Sequence, residues 1–191
     1  MTETESRLLD LLKNRSFKRA APGDFFTLAS GEKSDYFIDG KMTMVSSEGA
    51  ALIGDVLYDW TKDAGIDAIG GLQVGAVPLA TAAVISYHRH GRPIEGFWVR
   101  DGAKDHGTKK SVEGGLRPGM KVAVIDDVFT KGGSTLKAVD AVRAYGCEVV
   151  MVLALVDRLR GARRLFRDNG IENCKTVFTI RDFGVDVPDE G

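Results

Sequence analysis

Cysteine, proline and histidine are all scarce in this chain. Cys147 and Cys174 are its two cysteines, with no CxxC pair and no cysteine–histidine cluster. That leaves no basis for a disulfide scaffold or a structural zinc site. Neither sign of charge dominates: 26 Lys and Arg stand against 27 Asp and Glu, for a net charge of −1. A globally basic nucleic-acid binder is excluded, although a local basic patch is not. Long apolar runs are missing as well. Ala68 to Tyr87 carries no charge and approaches the spanning length of about 20 residues. It is broken by Gly70, Gly71, Gln73, Gly75 and Pro78, so it reads as a strand, a tight loop and a helix. The opening Met-Thr-Glu-Thr-Glu-Ser is acidic where a signal peptide would be basic. The expected setting is a reducing cytoplasm. Neither GxxxxGK[ST] nor GxGxxG occurs, so Walker and dinucleotide loops are absent.

What is present suits one domain of ordinary size: 191 residues, 43% hydrophobic and 28% charged. The 23 glycines follow no collagen-like period, which assigns them to turns and to loops that approach phosphate. Strand and helix alternate over the last two-thirds of the chain. Predicted strands are 67–70, 94–99, 121–125, 148–156 and 175–180; predicted helices are 76–90 and 134–145. Apolar strands separated by helices imply a mostly parallel sheet covered on both faces, an α/β fold. The front of the chain reads differently. A helix over 3–13, two short strands at 25–28 and 35–39 around Ser30-Gly31, and a helix over 47–63 are predicted. A single 1–191 domain results, with residues 1–45 as an N-terminal hood.

Residues 101–119 break the alternation. The stretch is polar, glycine-containing and nearly strandless, and carries Lys104, His106, Lys109 and Lys110. Such a connection is either a solvated loop or a mobile lid over an anionic substrate.

The strongest chemical signal runs from Val122 to Thr135. An apolar strand ends in Asp126 and Asp127. Val128, Phe129, Thr130, Lys131, Gly132, Gly133 and Ser134 then lead into a helix. Ligands of open α/β sheets bind beyond the carboxyl ends of the strands. The N–H groups of 130–134 and the new helix N-terminus form an anion cradle, which Gly132 and Gly133 leave open to a phosphate. The two carboxylates suit the neighbouring hydroxyls of a ribose. The stretch reads as a ribose 5-phosphate grip; the competing reading is a helix-capping or salt-bridging acidic pair.

That segment resembles the phosphoribosyl-pyrophosphate (PRPP) signature of the type I phosphoribosyltransferases. Phe26-Thr-Leu-Ala-Ser-Gly-Glu-Lys-Ser-Asp-Tyr-Phe-Ile-Asp39 resembles the base-binding segment of the orotate phosphoribosyltransferases. Val99-Arg-Asp-Gly-Ala-Lys-Asp-His-Gly107 resembles their catalytic loop. The resemblance implies transfer of phosphoribose from PRPP to orotate, giving orotidine 5′-monophosphate and pyrophosphate. It implies Arg100, Lys104 and His106 on the pyrophosphate. It implies PRPP contacts over Asp126–Ser134, and orotate contacts from Tyr36, Phe37, Thr130 and Arg158. Mg²⁺ is implied as cofactor, held mainly through PRPP and water rather than by protein ligands. A homodimer is implied, with loop 101–119 reaching the neighbouring site; the apolar and aromatic content around Trp98 agrees. Three departures stand out: Asp101 where some relatives carry a second basic residue, Ala29 where some carry lysine, and Leu72–Pro78 without the lysine some have there.

Other residues read more plainly. His88 and His90 sit at a helix end that favours cations. Trp60 and Trp98 read as core or interface anchors. The run Arg158–Arg164 with Arg167 reads as a solvated helix face, with an RNA-binding surface as the minor alternative. The competing functions are phosphoribosyl transfer to another base and a PRPP- or nucleotide-sensing RNA-binding regulator.

Overall fold

The computed structural model describes residues 1–27, 31, 33–102 and 111–191. Six strands form the central sheet: β5 (Ala68–Leu72), β6 (Glu95–Val99), β7 (Val112–Gly114), β8 (Lys121–Phe129), β9 (Glu148–Asp157) and β10 (Cys174–Thr179). Their order is β10-β9-β8-β5-β6-β7. All neighbours run parallel except β7, which lies antiparallel to β6 at the edge.

Alternation along β8 decides which layer each residue joins. Val122 and Val124 pack with Ala138, Val139 and Val142 of α5 (Gly133–Ala144). Ala123 and Ile125 pack on the other face with Ile53 and Leu57 of α3 (Ser47–Thr61) and Leu79 of α4 (Ala76–Arg89). All four strand residues are fully buried. A run without polar residues is therefore what a strand covered on both sides requires. The predicted α/β class matches, and Ala68–Tyr87 is indeed β5, a loop and most of α4. Among the described residues, no helix is long and apolar enough to cross a membrane.

The N-terminal part shares this core. Leu8 and Leu12 of α1 (Glu3–Arg15) are buried in the same cluster as Leu57 and Ile69. Thr2 caps α1, accepting from the Glu5 N–H at 3.1 Å, while the Glu5 carboxylate accepts from the Thr2 N–H and the Trp60 indole.

The structure adds to or corrects the sequence reading in four places. Each of the two front strands pairs with a further short strand. β2 (Phe26–Thr27) pairs with β3 (Lys33–Ser34), whereas β4 (Tyr36–Ile38) pairs with β1 (Phe17–Arg19). A one-turn helix, α2 (Lys41–Met44), follows β4. The stretch 101–119 contains β7, because Val112 is buried against the sheet edge. Finally, β8 does not stop at Ile125. Its ladder with β9 continues to Phe129, so Asp126, Asp127, Val128 and Phe129 are strand residues.

Candidate active site at the switch point of the sheet

Chain order reverses between β5 and β8. From β5 the chain crosses through α4 to β6 on one side, while β8 and β9 extend the sheet on the other. A crevice at such a reversal, beyond the carboxyl ends of the strands, is where open α/β sheets take ligands. Helices α4 and α5 both begin there, after Gly75 and Gly132.

The two adjacent acids do different work. Asp126 is buried, and its Oδ2 accepts from Ser134 Oγ (2.7 Å) and Thr135 Oγ1 (2.8 Å). Its Oδ1 accepts from the Asp127 N–H at 3.0 Å. Asp126 therefore ties the end of β8 to the first turn of α5 through two side-chain hydroxyls; the N-cap of α5 is Gly132, with no side-chain cap. Asp127 is half-buried and faces the crevice between the β5–α4 loop and α2. A Cβ on Gly75 would stand 2.9 Å from Asp127 Oδ1, and one on Gly40 3.3 Å from Oδ2. A side chain at 75 would therefore push the Asp127 carboxylate out of its present position. Burial, and then the charge of Asp126, push the Asp127 carboxyl up to about 6, against the opposing pull of Lys41. Lys41 itself pairs with Asp39 at 2.8 Å. Burial opposes ionisation of Asp39, but the bonds and charge of Lys41 hold its carboxyl below the usual value.

The loop between β8 and α5 has the expected form, with one correction. Gly132 adopts φ +81°, and a Cβ there would stand 2.9 Å from the Phe166 ring. Gly132 thus serves packing against α6 (Ala162–Asp168) rather than phosphate clearance. Gly133 meets nothing within 4 Å and supplies the open approach. The Phe129 ring is buried and stacks edge-on with Phe166 at 4.9 Å. So Phe129 belongs to the core; Thr130 is half-buried, and Lys131 and Ser134 are exposed.

Arg158 and Tyr36, expected at the base, meet each other. Arg158 is buried. Its N–H donates to the Phe129 carbonyl (2.8 Å), and its Nε donates to the Tyr36 hydroxyl at 3.1 Å. The guanidinium carbon sits 4.7 Å from the centre of the Tyr36 ring, a cation–π contact. The alternative of a surface ion pair with Asp157 or Glu148 is not realised; Asp157 pairs with Arg163 instead. Tyr36 and Phe37 face opposite ways, as neighbours on a strand must. Tyr36 is 1% exposed and Phe37 is 37% exposed, beside Phe26 at 5.8 Å. Tyr36 is therefore hood core that also partners Arg158. No feature of the sequence signalled that link, because its two ends lie far apart in the chain and meet only through the fold.

Arg100 follows β6 and donates to Glu113 Oε1 of β7 at 3.1 Å. Lys104 and His106 lie outside the described residues, as does Ala29. Asp101 points to Lys137 of α5 at 3.7 Å, both largely exposed. Most of the arginine run is spoken for: Arg158 by Tyr36, Arg160 by Glu190 and Arg163 by Asp157. A continuous RNA-binding surface finds little support in that arrangement. His90 stacks on Tyr58 at 3.8 Å, and Cys147 is buried, its thiol donating to the Arg117 carbonyl. Among the described residues, no three His, Cys, Asp or Glu side chains converge as a metal cage.

Comparison with known proteins follows the same lines. Residues 46–190 match the phosphoribosyl transferase domain profile. The orotate phosphoribosyltransferase of Rhodopseudomonas palustris (strain BisB5) is 44% identical over 173 residues, covering 88% of this chain and 90% of that protein. The crystal structure of Mycobacterium tuberculosis H37Rv orotate phosphoribosyltransferase in complex with Fe(III) dicitrate superposes with a TM-score of 0.82. It is 36% identical and covers 95% of this chain and 99% of that one. The same protein in complex with PRPP gives a TM-score of 0.79 at 34% identity, over 95% and 99% of the two chains.

Proposed function

This chain belongs to the orotate phosphoribosyltransferases, and from that premise we propose that it transfers the phosphoribosyl group of PRPP to orotate, forming orotidine 5′-monophosphate and pyrophosphate in pyrimidine biosynthesis. The observation that carries this reading is the pairing of two sites at one crevice. The glycine-rich start of α5 and Asp127 suit a ribose 5-phosphate, and Arg158 with the hood suits a planar anion.

Breaking the bond from ribose C1 to pyrophosphate leaves positive charge on the sugar and negative charge on the leaving group. Orotate is already an anion, so no strong base is needed. The work falls to positioning and electrostatics. In this reading the N–H groups at 130–134 hold the 5′-phosphate at the dipole-positive end of α5. Asp127 accepts from a ribose hydroxyl, while Asp126 keeps the strand and helix in register. Arg158 orients orotate with Tyr36 and Thr130, a guanidinium being suited to a carboxylate or carbonyl edge. Phe37 lies on the exposed side of the hood beside them. Arg100, Lys104 and His106 close over the pyrophosphate and exclude water.

PRPP-using transferases generally employ Mg²⁺. The donors at the crevice are oxygens, the class a hard cation prefers. Mg²⁺ held chiefly through PRPP and water supplies charge neutralisation on the leaving group. A homodimer is part of the proposal. Trp98, Ile85 and Val74 are exposed around α4 and β6, beside the point where segment 101–119 leaves Arg100. The hood over 1–45, a closing loop in the part of 101–119 that precedes β7, and a cytoplasmic location complete the reading.

Loss of orotate absorbance with purified protein tests it. Orotate is consumed only when PRPP and Mg²⁺ are both present, and uracil and hypoxanthine are not. Turnover of another base but not orotate overturns the base assignment and leaves the PRPP site standing.

A further inference from the structure

We propose that Asp157 is a positioning residue for the base site: it holds a left-handed turn at Leu159 that aims Arg158 at the hood. This deepens the orotate reading above and rests on it.

Leu159 adopts φ +59°, a conformation that a bulky side chain takes only when its surroundings impose it. The impositions are visible on both sides of the residue. Its N–H donates to Asp157 Oδ1 at 2.8 Å. Its carbonyl accepts from the Glu190 N–H at 3.2 Å. Its side chain is buried with the main core. The Asp157 carboxylate is itself fixed. It is 1% exposed, and its Oδ2 accepts from Arg163 Nε at 2.9 Å, while Arg163 Nη2 donates to Thr176 Oγ1 at 2.7 Å.

The turn matters because of what precedes it. Arg158 leaves the end of β9, anchored by its N–H to the Phe129 carbonyl. A chain continuing in extended conformation would carry the next residues on past the sheet. The left-handed residue instead folds the backbone toward α6 immediately after Arg158. The guanidinium then lies against Tyr36 and Ser34 of the hood. Asp157 touches neither proposed substrate. It acts through Leu159 on the direction of Arg158. The loop at the start of α5 is tied to β8 by Asp126 through Ser134 and Thr135, bonds that do not involve Asp157, so the larger effect falls on the base side.

The test is steady-state kinetics on Asp157→Ala, on Asp157→Ala with Leu159→Gly, and on Arg163→Gln, alongside melting temperatures. The expected result for Asp157→Ala is an orotate KM raised about tenfold, with the PRPP KM within about twofold of the parent. Glycine adopts the left-handed turn without a holder. Adding Leu159→Gly therefore restores much of the orotate KM even as it lowers the melting temperature by emptying a buried position. A purely structural role would move both quantities the same way. Arg163→Gln releases only the far oxygen of Asp157 and gives a smaller rise in the same direction; it decides the matter if Asp157→Ala does not fold. An unchanged orotate KM in a folded variant, a parallel rise in both KM values, or no restoration by Leu159→Gly overturns the proposal alone. Absence of PRPP-dependent orotate turnover in the parent protein overturns both it and the reading on which it rests.

Discussion

At Asp127 the needs of stability and of function diverge. A carboxylate there stands next to Asp126 and loses much of its water, and its pKa is raised to about 6 from an ordinary 3.8. The folded state therefore holds this proton more tightly than the unfolded chain. Stability from this group falls as pH rises from about 4 to about 6 and stays low above that. Asp127→Asn removes the titration. Chemical denaturation at pH 7.5 should find the variant more stable than the parent, with the gap closing toward pH 4. The same substitution should raise the PRPP KM, because an amide is a poorer acceptor for a ribose hydroxyl than a carboxylate. A variant that is less stable at pH 7.5 would show that Asp127 is a structural partner rather than a strained site group. The sequence marked both acids but not their division of labour. Asp126 is committed to Ser134 and Thr135 only once β8 runs on to place it beside the helix.

Between β8 and α5 the decisive contact is made by a residue from a third element. Phe166 of α6 fills the space beside Gly132, whose φ of +81° already disfavours a side chain. Gly132→Ala should cost about 1–3 kcal/mol in folding free energy, read from denaturant midpoints, and weaken PRPP binding with it. Gly133→Ala meets open space, so it should leave stability unchanged or raise it by under about 1 kcal/mol, alanine being the better helix former. Any loss it causes should appear in the PRPP KM. Equal stability losses at both positions would contradict the packing account. Elements with strong periodicity were legible from sequence: α3, α4, α5 and β9 fall where expected, and β8 begins where expected but runs on to Phe129. The short ones were not. β7 buries one residue at a sheet edge, and β1 carries Lys18 and Arg19. Three residues of mixed polarity have no period to read. The pairing of β4 with β1 is set by the packing of Tyr36 against Phe17 (6.1 Å), a contact across the fold.

Over the whole molecule the site is a meeting of independently supported parts. The parallel sheet and its switch point place the β8–α5 loop, the proposed phosphate site. Leu8, Leu12 and Tyr36 seat the N-terminal residues on the same hydrophobic core, and the proposed base-binding face lies with them. Arg158 is the link between them, and the order of the sequence motifs made that architecture readable before any contact was known. The distances that make it work, such as Arg158 to Tyr36, were not readable, because burial alone brings them together. Central to the account is that base and PRPP are held by separate parts of one crevice. Steady-state kinetics of Arg158→Lys test this most directly. The variant keeps the charge but loses the planar fork. The account predicts an orotate KM raised by about 10- to 100-fold, with the PRPP KM within about twofold of the parent. A parallel rise in both values, or an unchanged orotate KM, would contradict it.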